Sequence, residues 1–268
     1  RGAMLSFHGV GGSVGDVAGP LITGVLLLVM GWRGILSIYA VGPIFMAFIA
    51  VWIFKGIGNV KEEDTNTAGL VERLAMTKNL VRSPLLRGLT LVRGLRSMAL
   101  AAIVTLLALY LGNDLDLGVL NRGFHISLLI AVGLLAKPIA GTISDKLGRK
   151  QVLVPGLVWS CAIALLMVAF DNGVSLTVTI VLLGMFLYPD QPILTAALFD
   201  VLDREEATIG LGVVSFASFL MAAVSPLIAG AIYEISGFQA GLYYVAGLFG
   251  LAAVVFAMLP LTKPERGH

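Results

Sequence analysis

Apolar residues run along this chain in long blocks, not in the alternation of a half-buried strand or the narrow stripe of a surface helix. Runs of about 20 such residues, the length that crosses ~30 Å of hydrocarbon, mark eight segments. They are 4–29, 34–54, 85–111, 122–142, 151–170, 175–199, 207–232 and 239–261. The longest polar break is KGIGNVKEEDTNTAGLVERLAMTKNLVRSP, residues 55–84, which carries most of the charge runs. It reads as a linker between two bundles, and Leu70, Leu74 and Val81 would line one face of a short interfacial helix there. A plain solvated loop would accommodate the same charges. The expected fold class is all-α, a polytopic transmembrane helical bundle with eight membrane helices.

Composition removes the soluble alternative. Of 268 residues, 58% are apolar and 13% charged, against about 25% charged in soluble domains. Mean hydropathy is +0.95. The single cysteine, Cys161 in VWSCAIALL, excludes an intrachain disulfide and a cysteine metal cluster, and reads as a packing residue. A membrane-embedded enzyme would need a nucleophile–base pair or a metal triad. The chain has no H-E-x-x-H or G-x-S-x-G motif and only three histidines, so no enzyme, metal or cofactor is expected. His8 and His125 lie near opposite ends of their segments without partners suggesting a metal.

Lysine and arginine set the orientation. Arg1, Lys55, Lys61, Arg73, Lys78, Arg82, Arg87, Lys146, Arg149, Lys150, Arg204, Lys263 and Arg266 fall on one side of the eight-segment topology, and only Arg33 and Arg122 on the other. Both chain ends are therefore expected in the cytoplasm of a cell that carries this multi-pass protein in its inner or plasma membrane. Arg93, Arg96 and Lys137 remain, inside membrane segments.

A repeat runs through the chain. GPLITGVLLLVMGWR at 19–33 and SPLIAGAIYEISGFQ at 225–239 share P-L-I-x-G and, six residues on, G-[WF], at an offset of 206 residues. Six segments start between the copies, so the unit is a six-helix bundle whose copies keep one orientation. Four helices are then expected to precede Arg1. The domains expected are 1–54, the last two helices of an N-terminal bundle; 55–84, a cytoplasmic linker; 85–262, a complete C-terminal six-helix bundle; and 263–268, a cytoplasmic tail.

GTISDKLGRK, residues 141–150, matches G-x-x-x-D-[RK]-x-G-[RK]-[RK] at every fixed position, in the turn after the second helix of a bundle. On this motif the chain resembles the major facilitator superfamily of transporters. Gly15, Gly19, Pro20 and Gly24 resemble that family's antiporter motif, G-x-x-x-G-P-x-x-G-G, with Thr23 in place of one glycine. The resemblance covers the whole chain, as helices five to twelve of twelve. It implies two six-helix halves that rock about a central site in alternating access. It also implies that the 141–150 turn is a latch gripping a neighbouring helix in one state only; the alternative is a topology anchor.

Within the turn, Gly141 is expected to let the helix end pack closely and Gly148 to supply a turn conformation closed to other residues. Asp145 stands where it would cap the next helix or pair with Arg149. Lys146, Arg149 and Lys150 would hold the turn in the cytoplasm and meet anionic lipid.

Ionisable groups in hydrocarbon are functional candidates because an unpaired charge there is costly. Arg93 and Arg96 share a helix face with Thr90 and Ser97 nearby. Asp190, between Pro189 and Pro192, lies at similar depth on a helix expected to break there. The resemblance places both segments on the cavity, so an Asp190–Arg93/Arg96 network facing it is expected, with structural neutralisation as the alternative. Asp16, near mid-depth of the first segment, would serve as a proton carrier or meet Lys137 across a helix interface. Lys137 would snorkel to the cytoplasmic surface. Gly11, Gly15 and Gly19 recur every four residues, and this bare face is expected to be the contact between the halves.

The function expected is proton-coupled efflux of small, partly hydrophobic compounds. The alternatives are uptake or exchange of a small anionic metabolite at Arg93 and Arg96, and a non-transporting membrane sensor. Its partners would be a small-molecule substrate, protons and the lipid bilayer, with no nucleic acid, and the full-length protein would be a monomer.

Overall fold

A computed structural model describes residues 2–55 and 70–261, with side-chain surroundings for 14–55, 75–203 and 206–261. Arg1, Lys61, Lys263, Arg266, residues 56–69 of the linker and the surroundings of His8, Gly11, Leu70, Leu74 and Arg204 lie outside these ranges. Regular structure among the described residues is helical throughout. In order it comprises α1 (Gly2–Leu26), α2 (Trp32–Phe54), α3 (Leu70–Arg82), α4 (Pro84–Asn113), α5 (Val119–Leu147), α6 (Arg149–Ala169), α7 (Gly173–Leu187), α8 (Asp190–Phe199) and α9 (Arg204–Met258).

Six helical stretches among the described residues are long and apolar enough to cross a membrane, against eight segments expected. Two features make the difference. Only Val14–Leu26 of α1 enters the reckoning, and Glu206–Met258 counts as one stretch. That stretch would extend ~80 Å as a straight helix, more than twice the hydrocarbon thickness. It divides at Gly237, whose φ of 80° and ψ of −178° are barred to residues with a Cβ. The break falls between the apolar runs 207–232 and 239–261.

Local chemistry starts and stops the other helices. Ser83 accepts a hydrogen bond from the Leu86 N–H at 3.4 Å, with Pro84 opening α4. α7 ends at Leu187 and α8 begins at Asp190, because neither Pro189 nor Pro192 has an N–H to continue the ladder. α3 forms within the linker; among its described residues Leu80 is buried and Val81 is exposed, while the surroundings of Leu70 and Leu74 lie outside the described ranges. α3 rests on α4 and α9.

α4 forms the centre of the bundle. Val92, Ala99, Ala102, Ile103, Leu106, Leu107 and Leu111 are sealed from solvent along it. α9 packs on α4 from both sides of Gly237. Ser225 donates to the Met98 carbonyl (2.8 Å) and shares a hydrogen bond with Tyr244 (3.0 Å), so one buried hydroxyl links α4 to both arms. α5 and α7 meet nearly backbone to backbone: a Cβ on Gly184 would stand 2.4 Å from the Leu129 carbonyl oxygen.

α1 packs on α5, though not through the expected face. Ser127 donates to the Val17 carbonyl at 2.7 Å, and a Cβ on Gly123 would stand 2.4 Å from the Pro20 oxygen. One on Gly24 would stand 2.9 Å from the Val119 oxygen. At Gly15 and Gly19 an added Cβ meets nothing within 4 Å. Val17, Pro20 and Gly24 make the contact with α5, while Gly15 and Gly19 lie off it; Gly11 is outside the described surroundings. α2 contributes Ile35 as its buried residue and is otherwise largely exposed.

Candidate functional site

A cavity of about 510 Å³ opens between α4, the α7–α8 break and the first arm of α9. Its polar wall includes Arg93, Arg96, Ser97, Tyr188, Gln191 and Ser215. Each is placed by a simple device. Arg93, Arg96 and Ser97 project from one side of α4 at spacings of three and one, and the proline break turns Tyr188 and Gln191 inward where α7 would otherwise continue.

Arg96 and Asp190 form a buried ion pair. Nε of Arg96 donates to Oδ2 of Asp190 at 2.7 Å, and Nη2 stands 2.7 Å from Oδ1. The two side chains are only 4% and 3% exposed. Nη2 also donates to the Leu187 carbonyl, one of the acceptors released where α7 ends. Asp190 sits in the first turn of α8, where the helix dipole favours a negative charge. One guanidinium thus neutralises the acid and satisfies the broken backbone, the half-helix arrangement by which membrane proteins hold charge at depth.

Arg93 is placed differently. Its Nη1 atom is buried and has no hydrogen-bond partner, and the side chain lines the cavity outside the Arg96–Asp190 pair. The expected three-residue network is therefore one closed pair beside one cation that the described residues leave open. Thr90 donates back to the Leu86 carbonyl and takes no part in the wall.

Asp16 is exposed and pairs with no described cation, including Lys137. The antiparallel register that sets Val17 beside Ser127 puts Asp16 about nine residues, or ~14 Å, above Lys137. Lys137 instead holds its ammonium 5.9 Å from the Tyr188 ring centre. Tyr188 thus joins the Lys137 ammonium of α5 to the cavity wall that holds Arg93 and Arg96. Sequence reasoning did not single it out; its position immediately before the Pro-Asp break was the available signal.

The 141–150 turn lies at one end of the bundle. Gly148 has φ 109° and ψ 151°, a conformation that demands glycine. Arg149 donates to Asp145 and, through Nε, to Asp200 at the end of α8 (3.0 Å), with Ser144 Oγ at 3.2 Å from Nη1. Asp145 therefore pairs with Arg149 and does not cap α6. Lys150 donates to the Leu259 carbonyl just past α9 (3.0 Å), and Lys146 is exposed. Gly141 has open space around it, so the expectation of close packing there fails. The turn grips α8 through Asp200 and the end of α9 through Lys150.

One buried ion pair beside a cavity at a helix break, in a bundle of long apolar helices, marks a polytopic membrane protein. The chain belongs to the Major Facilitator Superfamily, whose model matches residues 89–268. It is similar to the uncharacterized MFS-type transporter YfnC of Bacillus subtilis, 22% identical over 271 residues, covering 100% of this chain and 65% of that protein. It is also similar to the probable L-galactonate transporter of Escherichia coli, 24% identical over 294 residues, covering 99% of this chain and 64% of that protein. The chain thus spans just under two thirds of these relatives. Both relatives are transporters by name, not enzymes.

Proposed function

We propose that the native protein is a secondary transporter that carries a small organic anion together with a proton, by alternating access. One observation carries this reading: Arg93, with a buried Nη1 that has no partner, lines the cavity beside an Arg96 already neutralised by Asp190. The three charges leave the wall one positive charge in excess, which suits a monoanion. The Arg96–Asp190 pair supplies the coupling. Protonating Asp190 would release Arg96 and add a second free cation to the wall, so proton and anion favour each other's binding. That sign of linkage belongs to symport. An antiporter needs substrate and proton to compete.

Efflux of apolar compounds has weaker support. It rests on the glycine–proline motif, and no residue of that motif lines the cavity. The E. coli relative's description names a carboxylate as its substrate, in accord with the anion reading. The same proposal keeps residues 1–54 and 85–262 as parts of two halves joined by 55–84. It keeps Asp16 as a candidate proton carrier on the first half, both chain ends in the cytoplasm, and a monomeric protein in the plasma membrane. The Gly148–Lys150 turn is the latch, with Arg149–Asp200 as the bond that opens.

The test is uptake of a labelled organic acid into proteoliposomes of the full-length protein under an imposed acid-outside gradient. Wild type accumulates the acid. Asp190→Asn, which keeps a hydrogen-bond partner for Arg96, exchanges the acid across the membrane without accumulating it. Accumulation by Asp190→Asn at the wild-type level refutes the coupling role.

A further inference from the structure

The hydroxyl groups on the cavity wall narrow the ligand further, and this step rests on the anion reading above. Thr105 donates to the Ala101 carbonyl (2.9 Å), and Ser218, at the floor of the cavity, donates to the Val214 carbonyl (2.6 Å). A hydroxyl has one proton, so each of these spends it on its own helix and offers the cavity lone pairs only. Ser97, Ser215 and the Gln191 amide line the same wall, and among the described residues they have no side-chain partner. The wall therefore offers cationic donors at Arg93, a surplus of hydroxyl and amide acceptors away from it, and the exposed Phe219 ring at its edge.

Different ligands fare differently against that wall. A simple fatty acid brings acceptors alone and would leave the serine and threonine lone pairs dehydrated and unpaired. An apolar drug-like compound would leave Arg93, Ser97, Ser215 and Gln191 without partners, at a cost for each. A neutral polyol would answer the hydroxyls and leave Arg93 without a counter-charge. A molecule with a carboxylate at one end and several O–H donors along its length satisfies all of them. We infer that the substrate is a polyhydroxylated monocarboxylate, its carboxylate on Arg93 and its hydroxyls donating to Thr105 and Ser218 and exchanging hydrogen bonds with Ser97, Ser215 and Gln191.

Equilibrium binding to the purified full-length protein tests this with three probes of equal carbon number: gluconate, hexanoate and the neutral hexitol galactitol. Gluconate binds at least tenfold more tightly than hexanoate, and galactitol does not bind measurably. Replacing both hydroxyls, Ser97→Ala with Ser215→Ala, weakens gluconate about three- to tenfold per hydroxyl and leaves hexanoate unchanged, which also reports that the variant is folded. Ser215→Thr, which keeps the hydroxyl, retains gluconate binding. If hexanoate matches gluconate, or if the serine variants weaken both acids equally, hydroxyl recognition is wrong while the anion reading survives. If neither acid binds the wild type, or Arg93→Gln leaves gluconate affinity intact, the anion reading falls and this inference with it.

Discussion

The buried pair between Arg96 and Asp190 makes an asymmetric prediction about stability. Asp190→Leu leaves a guanidinium 4% exposed, with the Leu187 carbonyl as its remaining protein partner. A guanidinium does not shed its proton, so the charge stays, and breaking a buried pair from one side costs about 3–5 kcal/mol. For a chain of this size that is a fall in Tm on the order of 10 °C. Arg96→Leu leaves a carboxylate, which escapes by taking up a proton, so its penalty is smaller and shrinks as the pH is lowered. The double variant Arg96→Leu/Asp190→Leu removes both charges and leaves chiefly the Leu187 carbonyl unsatisfied, about 1–3 kcal/mol. It should therefore be more stable than Asp190→Leu alone. The assay is thermal unfolding of the full-length protein in detergent, followed by tryptophan fluorescence. Trp159 donates to the Leu182 carbonyl at 2.8 Å and so reports the α6–α7 contact beside the site. The reasoning is refuted if the double variant loses as much as the two single losses combined, or if Asp190→Leu melts within 2 °C of wild type.

Two more predictions concern glycines. Gly123→Val drives a side chain into the Pro20 carbonyl, with backbone on both sides and no room to yield. Oxidative cross-linking between Val17→Cys and Ser127→Cys, in a Cys161→Ser background, should therefore fall at least severalfold. Gly15→Leu points into open space in this conformation and should leave that yield unchanged. Gly148→Ala imposes a Cβ at φ 109° and should cost about 1–3 kcal/mol, read as a lower Tm, whereas Gly141→Ala meets nothing within 4 Å and should be neutral.

Much of the bundle was legible in the sequence because lipid allows so few alternatives. A backbone in hydrocarbon must satisfy its own hydrogen bonds, so length and apolarity alone announce helices. Depth was legible too: rise per residue places Asp190 and the two arginines at one height whatever the packing. Rotation about a helix axis was not. Arg93 and Arg96 lie about 60° apart on a helix of 3.6 residues per turn. That angle separates a guanidinium that closes on a broken helix from one that opens on a cavity, and both look alike in a string of letters. The same limit explains the glycine ladder. At about 100° per residue, Gly15 stands about 140° from Pro20 and about 160° from Val17, on the opposite side of α1. A bare helix face declares that a close neighbour is possible and says nothing about which of two bare faces has one. α1 has both: Pro20 and Gly24 take α5, while Gly15 and Gly19 stand open beside the exposed Asp16. Replacing Gly15 by leucine should then leave the α1–α5 contact intact, whereas Gly123→Val, on the face that α5 takes, should break it.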